Sequence, residues 1–221
     1  MRRPGLTPGH SVAPHTFVAL ADVDPTIGQD LRYAGPDNFV GTPLDGYERA
    51  TCLLTAPAAR ALGHAQGLLA PLGYALLVLD GYRPQRAADH MLRWAAGPEC
   101  PATRRRHHPR VPKDRLFGHE HLHPRSGHGR GSTVDVTLVD RRGDALDMGT
   151  PFDHFDPRSH AASTEIEPEA RVNRQLLDTA MSRAGFRGLA TAWWHYTLLE
   201  EPFADTHFDF PTTRTALLPP H

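Results

Sequence analysis

The chain has 221 residues, a formal net charge of −1 at pH 7 and 39% hydrophobic residues. This size and composition predict one globular domain over residues 1–221. The balanced charge argues against nucleic acid or an anionic membrane surface as a partner. No stretch approaches the roughly 18 consecutive apolar residues that a membrane span requires. The N-terminus also lacks the unbroken apolar core of a signal peptide, so we expect a cytoplasmic protein.

Cysteine and histidine content raises the question of metal binding. Cys52 and Cys100 do not form a CxxC pair, which argues against a thiolate site. A disulfide between them stays open, although two inert thiols are the simpler expectation. The chain has 15 histidines, many of them between residues 107 and 128. Such a stretch can bind metal or can be ordinary loop composition. We expect the basic cluster at 104–108 to be a solvated loop.

Apolar periodicity and Pro or Gly stops predict the following elements in chain order. Residues 1–25 are expected to be irregular, and 97–127 to form a long loop region with short helical pieces at most. Helices are predicted over 56–71, 85–96 and 167–184, and strands over 74–79, 132–139 and 193–199, with turns at 80–84 and 141–144. Without strict βαβ alternation, this order favours an α+β domain whose mostly antiparallel sheet is flanked by helices.

Three segments carry residues suited to metal chemistry. His128 lies in a glycine-rich approach to a predicted strand, and Asp135 lies seven residues later within it. His195 lies in the last predicted strand, and Arg83 lies in the turn DGYRP. Two imidazole nitrogens and one carboxylate oxygen suit Zn²⁺ with one coordination position left open. Spacing alone is weak evidence, because a strand histidine is more often an ordinary core residue.

The segments SGHGRGSTVD, DGYRP and WWHY together give a more specific indication. They resemble the D-alanyl-D-alanine dipeptidases, the VanX-type branch of the zinc DD-peptidase family. Further blocks agree in the family's order at 31–39, 94–99, 148–153, 158–160, 201–202 and 208–211. The resemblance therefore covers residues from about 30 to 212 and implies a zinc DD-peptidase-like fold.

The resemblance also implies roles for the residues of the three segments. His128, Asp135 and His195 would hold one Zn²⁺ per chain. Arg83 would lie beside the scissile carbonyl, where a guanidinium can stabilise the oxyanion by about 3–4 kcal/mol. Its alternative role is a surface ion pair in a turn.

Substrate binding is implied for three further residues. Tyr33, Ser126 and Asp153 match family positions that contact a small dipeptide, D-Ala-D-Ala. A carboxylate at Asp153 suits the ammonium of a free N-terminus. Ordinary packing for Tyr33 and Ser126, or a turn cap for Asp153, are the alternatives. Removing this cell-wall precursor would serve glycopeptide resistance or dipeptide recycling, while the sequence leaves the oligomeric state unknown.

One position departs from the family pattern. The family has Glu immediately before Trp-Trp-His, where this chain has Ala192. That Glu is the expected general base and acid, and alanine can perform neither step. Glu200 and Glu201 lie five and six residues beyond His195, too far along a strand to replace it. We therefore expect an inactivated variant, and the otherwise intact site favours one recent change, such as an engineered one, over gradual loss.

Two other functions stay open. The chain could capture a dipeptide around zinc without cleaving it, which Ala192 favours. It could instead hold a closed structural zinc, with a fourth ligand taken from the histidines between 107 and 123.

Overall fold

The computed structural model describes residues 13–117 and 122–217 of the chain. Within them, the strands are β1 Phe17–Ala19, β2 Gly28–Gln29, β3 Leu53–Thr55, β4 Tyr74–Asp80, β5 Thr133–Asp140, β6 Phe186–Leu189 and β7 Ala192–Leu198. The α-helices are α1 Leu20–Val23, α2 Ala56–Leu69, α3 Gln85–Ala95, α4 Pro101–His107 and α5 Pro168–Arg183. Short 3₁₀ turns join several of these elements.

A five-stranded sheet in the order β2-β4-β5-β7-β6 organises the fold. Strand β2 runs parallel to β4, and the other neighbours in this sheet are antiparallel. A second sheet consists of the antiparallel pair β1 and β3. The predicted α+β class with a mostly antiparallel sheet is therefore confirmed.

The central strand β5 has two chemically different faces. Val134, Val136 and Leu138 alternate with polar residues, and all residues from 133 to 139 are buried. On the polar face, Asp135 lines the site described below and the Thr133 hydroxyl lies 3.0 Å from that of Thr197. The apolar side chains share one core cluster with residues of α2 and α5, namely Leu62, Leu69, Leu177 and Met181.

The predicted regular elements are all present, with ends within two residues of the expected positions. The helix predicted over 56–71 is α2 followed by a 3₁₀ turn, Ala70–Leu72, and ends at Gly73 with φ 87°. This left-handed residue explains the stop, since glycine adopts positive φ without steric cost. In α5, Val172 is 64% exposed, so not every apolar residue of the predicted pattern lies on the packed face of the helix.

The expectation of an irregular segment over residues 1–25 is wrong for 17–23, which form β1 and α1. Strand β1 is held by tertiary contacts that a local pattern does not reveal. Phe17 packs against Tyr82, Phe208 and Phe210, with ring centroids 5.0–5.4 Å apart. These rings form a second, smaller core cluster beside the main one.

The expectation of a solvated loop at 104–108 is only partly right: the three arginines are exposed, but the segment is mostly helical. Helix α4 includes most of this cluster, and both His107 and His108 are buried. His107 Nδ1 lies 3.1 Å from the carbonyl oxygen of Asp153, and the Phe155 amide donates to the His107 carbonyl at 2.6 Å. The long region 97–127 thus contains a helix that contacts the residues around Asp153.

The two cysteines are both free thiols, so the disulfide alternative does not hold in this structure. Cys52 is buried and Cys100 is exposed. Among the described residues, the helices are all too short or too polar to cross a bilayer.

Gly131 and Gly143 provide a matched test of the packing between β1 and the loop before β5. Both have positive φ, 81° and 86°. A Cβ on Gly131 would overlap the Phe17 ring, whereas one on Gly143 would meet nothing within 4 Å. We expect Gly143→Ala to lower the free energy of unfolding by about 1–2 kcal/mol, the cost of left-handed alanine. Gly131→Ala should cost roughly 1–3 kcal/mol more through overpacking.

Urea unfolding of the two variants measures this difference directly. Equal losses in both variants would show that the contact between Gly131 and Phe17 does not restrain the fold.

Candidate metal centre

The donor atoms of His128, Asp135 and His195 converge on one point. His128 Nε2 lies 3.2 Å from His195 Nδ1 and 3.3 Å from Asp135 Oδ1, and His195 Nδ1 lies 3.0 Å from Asp135 Oδ1. Tetrahedral ligands with bonds of 2.0–2.1 Å lie roughly 3.3 Å apart, so these residues fit a metal ion such as zinc. Within 13–117 and 122–217, no other set of three His, Cys, Asp or Glu side chains converges in this way.

Strand pairing places two of these residues side by side. In the antiparallel pair of β5 and β7, Asp135 lies directly opposite His195. Cross-strand partners point to the same face of a sheet, with Cβ atoms about 4.5–5.5 Å apart. The register therefore brings a carboxylate and an imidazole together without help from a loop.

The third residue comes from the tight turn before β5. His128 lies in the 3₁₀ turn Gly127–Arg130. The backbone amide of His128 donates a hydrogen bond to the Ser126 hydroxyl at 3.3 Å. Gly131 ends the turn in a left-handed conformation. The glycine-rich sequence allows this compact reversal, which directs the His128 ring back over β5.

Hydrogen bonding and burial favour the protonation states that bind metal. His128 Nδ1 donates to the Gly81 carbonyl at 2.8 Å, so Nε2 is the ring nitrogen that faces the other two side chains. Burial lowers the pKa of His195 against the opposing effect of Asp135. Burial alone would raise the pKa of Asp135, but the neighbouring His128 and His195 lower it below its usual range. Neutral imidazoles and an ionised carboxylate are the ligand forms that metal ions require.

A buried ion pair lies beside the metal ligands. Asp80 accepts hydrogen bonds from Arg83 Nε at 3.0 Å and Nη2 at 2.8 Å, and from the Tyr47 hydroxyl at 2.5 Å. Arg83 Nη2 also lies 3.6 Å from Asp135 Oδ2. Both Arg83 nitrogens donate to the same oxygen, Oδ2, and these two contacts orient the guanidinium. Arg83 is thus buried in the site, and the alternative of a surface ion pair is wrong.

A second carboxylate lies in the same site. Asp153 is buried and its two oxygens accept from the Tyr33 hydroxyl at 3.0 and 3.1 Å. Its φ is 58°, the one positive φ of a non-glycine residue in the described part of the chain. Burial raises the pKa of Asp153 well above its usual value, with Asp135 adding to the shift and Arg83 opposing it. A left-handed, buried carboxylate is costly and is typical of functional sites.

The structure brings all of the predicted site residues to one cavity of about 80 Å³. Its lining includes Tyr33, Arg83, Ser126, His128, Asp135, Asp153, Ala192 and His195. Apolar side chains complete it: Leu122, Phe155, Leu189 and Trp194. Trp193 instead lies outside this lining and donates to Thr150 Oγ1 at 2.9 Å.

The position of Ala192 leaves that part of the cavity without a carboxylate. Ala192 is the first residue of β7 and its methyl group is the whole side chain at the cavity surface. Glu201, which follows β7, is held by Arg130 through contacts of 2.7 and 2.8 Å. Neither Glu200 nor Glu201 lines the cavity, in agreement with the distance argued from the sequence.

Sequence reasoning missed three residues that shape the site. Asp80 was visible only as part of the DGYRP turn, and its role as the partner of Arg83 depends on burial. His107 holds the Asp153 carbonyl, and His123 lines the cavity. The count of histidines was the only indication of these two. His119 and His121, which are potential fourth ligands, lie outside the described residues.

Comparisons with known proteins agree with this site. The family described as D-ala-D-ala dipeptidase matches residues 14–213. The D-alanyl-D-alanine dipeptidase of Streptomyces coelicolor is 44% identical over 196 residues, which cover 88% of this chain and 97% of that protein. The enzyme of the same name from Enterococcus faecalis is 40% identical over 88% of this chain and 96% of that protein. That from Escherichia coli is 36% identical over 82% of this chain and 84% of that protein.

A solved structure gives a much weaker similarity. It is a mutant of the vancomycin resistance D,D-pentapeptidase VanY in complex with Zn(II), with a TM-score of 0.35 and 15% identity. The alignment covers 71% of this chain and 78% of that one, and is too weak to support a conclusion. The sequence matches are sufficient by themselves: they extend over nearly the whole described chain, and this chain belongs to the D-Ala-D-Ala dipeptidase family of peptidases.

Proposed function

We propose that this chain binds one Zn²⁺ through His128, Asp135 and His195 and binds the dipeptide D-Ala-D-Ala beside it. The reaction of the site is hydrolysis of the dipeptide bond, and Ala192 reduces that activity severely. The observation that carries the proposal is the convergence of three donor atoms, 3.0–3.3 Å apart, in a cavity that also holds Arg83 and Asp153.

The donor set argues for zinc with an open coordination position. Three protein ligands of mixed nitrogen and oxygen type are typical of catalytic zinc, while structural zinc has four. Bound there, zinc supplies Lewis acidity that activates water and polarises the scissile carbonyl. Gly81 keeps the His128 ring in the required tautomer through its carbonyl oxygen, 2.8 Å from Nδ1.

Arg83 is the residue placed to stabilise negative charge on the reacting carbonyl. Its Nε and Nη2 are bound to Asp80, and this contact holds the guanidinium beside Asp135. Because the group is buried and already oriented, it needs no reorganisation when charge develops on the carbonyl oxygen. A hydrogen bond from Arg83 to that oxygen is strengthened by the low dielectric of the site.

Asp153 and Tyr33 form the end of the cavity suited to an ammonium group. The pair is buried, and the Tyr33 hydroxyl already orients both carboxylate oxygens. An ammonium placed against Asp153 would favour its ionised form and offset the cost of burying it. Ser126, which caps the turn carrying His128, adds a hydroxyl to the same cavity.

Ala192 removes the proton-transfer group from an otherwise complete site. Attack on an amide leaves an amine that must be protonated, and one placed carboxylate usually contributes about 10²–10⁴-fold to such a step. An inactivated peptidase is our leading interpretation of the chain as written. Capture of the dipeptide without cleavage is the second candidate, and Ala192 is the observation that favours it. Either activity would concern a cell-wall precursor, in resistance or in recycling, and we propose a cytoplasmic location for the protein.

The metal assignment predicts that single ligand changes empty the site. We expect about one zinc per chain in the unaltered protein, and a loss of at least tenfold in zinc affinity for His128→Ala and for His195→Ala. His154→Ala is the matched control, because His154 is also buried but binds the Arg106 carbonyl instead. Elemental analysis after dialysis, with circular dichroism to check folding, measures the outcome. Full zinc content in both ligand variants would contradict the assignment.

The ammonium site predicts a selective loss in Asp153→Asn. Asparagine has the same shape and tolerates positive φ, so the variant removes the charge and little else. We expect zinc content to stay unchanged and D-Ala-D-Ala to bind about 10–100-fold more weakly, the value of a buried charged hydrogen bond. Calorimetric titration measures the binding of D-Ala-D-Ala and of the N-acetylated dipeptide to both proteins. The weak binding of the N-acetylated dipeptide should not change in the variant. An equal effect on both ligands would remove Asp153 from ammonium recognition.

The missing carboxylate predicts that Ala192→Glu restores D-Ala-D-Ala hydrolysis by at least about 10²–10⁴-fold. Ala192→Gln is the control, since it supplies the same bulk without a proton acceptor and should stay nearly inactive. A dipeptidase assay on all three proteins, at equal zinc content, separates the effects. If the Ala192 protein hydrolyses the dipeptide within tenfold of the Glu variant, another group is the base. If neither the Ala192 protein nor the Glu variant binds or cleaves D-Ala-D-Ala, the proposed substrate is wrong.

A further inference from the structure

The proposed substrate carries a charge that the residues considered so far do not match. A free dipeptide is a zwitterion, with an ammonium at one end and a carboxylate at the other. Asp153 and Tyr33 account for the ammonium, and Arg83 for the scissile carbonyl. The C-terminal carboxylate still needs a donor or a cation, because a buried charge without a partner is costly.

Most ionisable groups of the cavity are already engaged. His128, Asp135 and His195 form the metal cluster, and Tyr33 is hydrogen-bonded to Asp153. Arg83 uses Nε and Nη2 to hold Asp80. His123 is the remaining ionisable lining residue, and it makes no hydrogen bond or ion pair with any other residue of the described ranges.

The backbone on both sides of His123 is held in place. Leu122 is buried, its amide donates to the Leu116 carbonyl at 2.9 Å, and it forms a β-bridge with Phe117. On the other side, the Pro124 carbonyl accepts from Gln85 Nε2 at 2.7 Å. These contacts fix the backbone position of His123, although its side chain is exposed to solvent.

We propose that His123 binds the free C-terminal carboxylate of the dipeptide and makes the site selective for substrates that end there. This inference rests on the proposed function and names a second recognition group for the same cavity. An imidazole N–H directed at a carboxylate is a charge-assisted donor. The exposure of His123 places the carboxylate at the solvent side of the cavity, where it keeps part of its hydration, while the ammonium lies buried at Asp153.

The test uses the zinc-loaded chain as it stands, because binding does not require turnover. Calorimetric titration with D-Ala-D-Ala and with its C-terminal carboxamide compares a charged with a neutral end. We expect His123→Ala to weaken binding of the free acid about tenfold and binding of the carboxamide less than twofold. Arg125→Ala is the matched control: it removes a cation from the same loop that does not line the cavity. It should change both affinities less than twofold.

Each other outcome overturns the inference in a recognisable way. Equal weakening of both ligands in His123→Ala shows that the ring only shapes the cavity. Equal losses in His123→Ala and Arg125→Ala for the free acid show general attraction by the loop, and not a contact. A chain that binds zinc but neither ligand overturns the proposed function, and His123 recognition with it. A loss of affinity for the free acid alone in His123→Ala, while Asp153→Asn still lowers affinity for D-Ala-D-Ala, supports both the proposed function and carboxylate recognition by His123.

Discussion

The register between β5 and β7 is the constraint on which the site depends. It sets Asp135 opposite His195, and a slip of one residue would turn one of these side chains to the other face of the sheet. The apolar face prevents that slip, because Val134 and Val136 must stay in the core. The same alternation that drives folding therefore also positions the candidate metal ligands. Thr133 and Thr197, whose hydroxyls lie 3.0 Å apart across the pair, extend this register toward the start of β5.

Ionisable side chains are buried around this pair. Asp80, Asp135 and Asp153 are all nearly inaccessible, and Arg83 is the buried cation that offsets them. Burying such groups costs several kcal/mol per ion before pairing, so apolar residues would serve stability better. A divalent cation and a zwitterionic ligand would complete the balance of charge. Burial of these charges therefore opposes stability, as is common in sites with perturbed pKa values.

Residues far apart in sequence set the geometry of the cavity. Tyr33 and Asp153 are 120 positions apart, yet their hydrogen bonds determine the direction of the carboxylate. Helix α4 supports the same segment through His107 and the Asp153 carbonyl. Position 192 is a contrasting case: Ala192 lines the cavity with a methyl group alone, so its side chain contributes no ionisable group there.

By itself, the sequence determined the regular elements with strong periodicity, such as α2 and β5, and the residue types in the SGHGRGSTVD, DGYRP and WWHY segments. Local backbone preferences and apolar spacing are sufficient for these. Only the tertiary structure decided that 17–23 form regular structure, that α4 is ordered with His107 buried, that Asp80 orients Arg83, and that His123 reaches the cavity. Each of these depends on contacts between distant segments, whose free energy comes from burial and pairing that no short stretch of sequence contains.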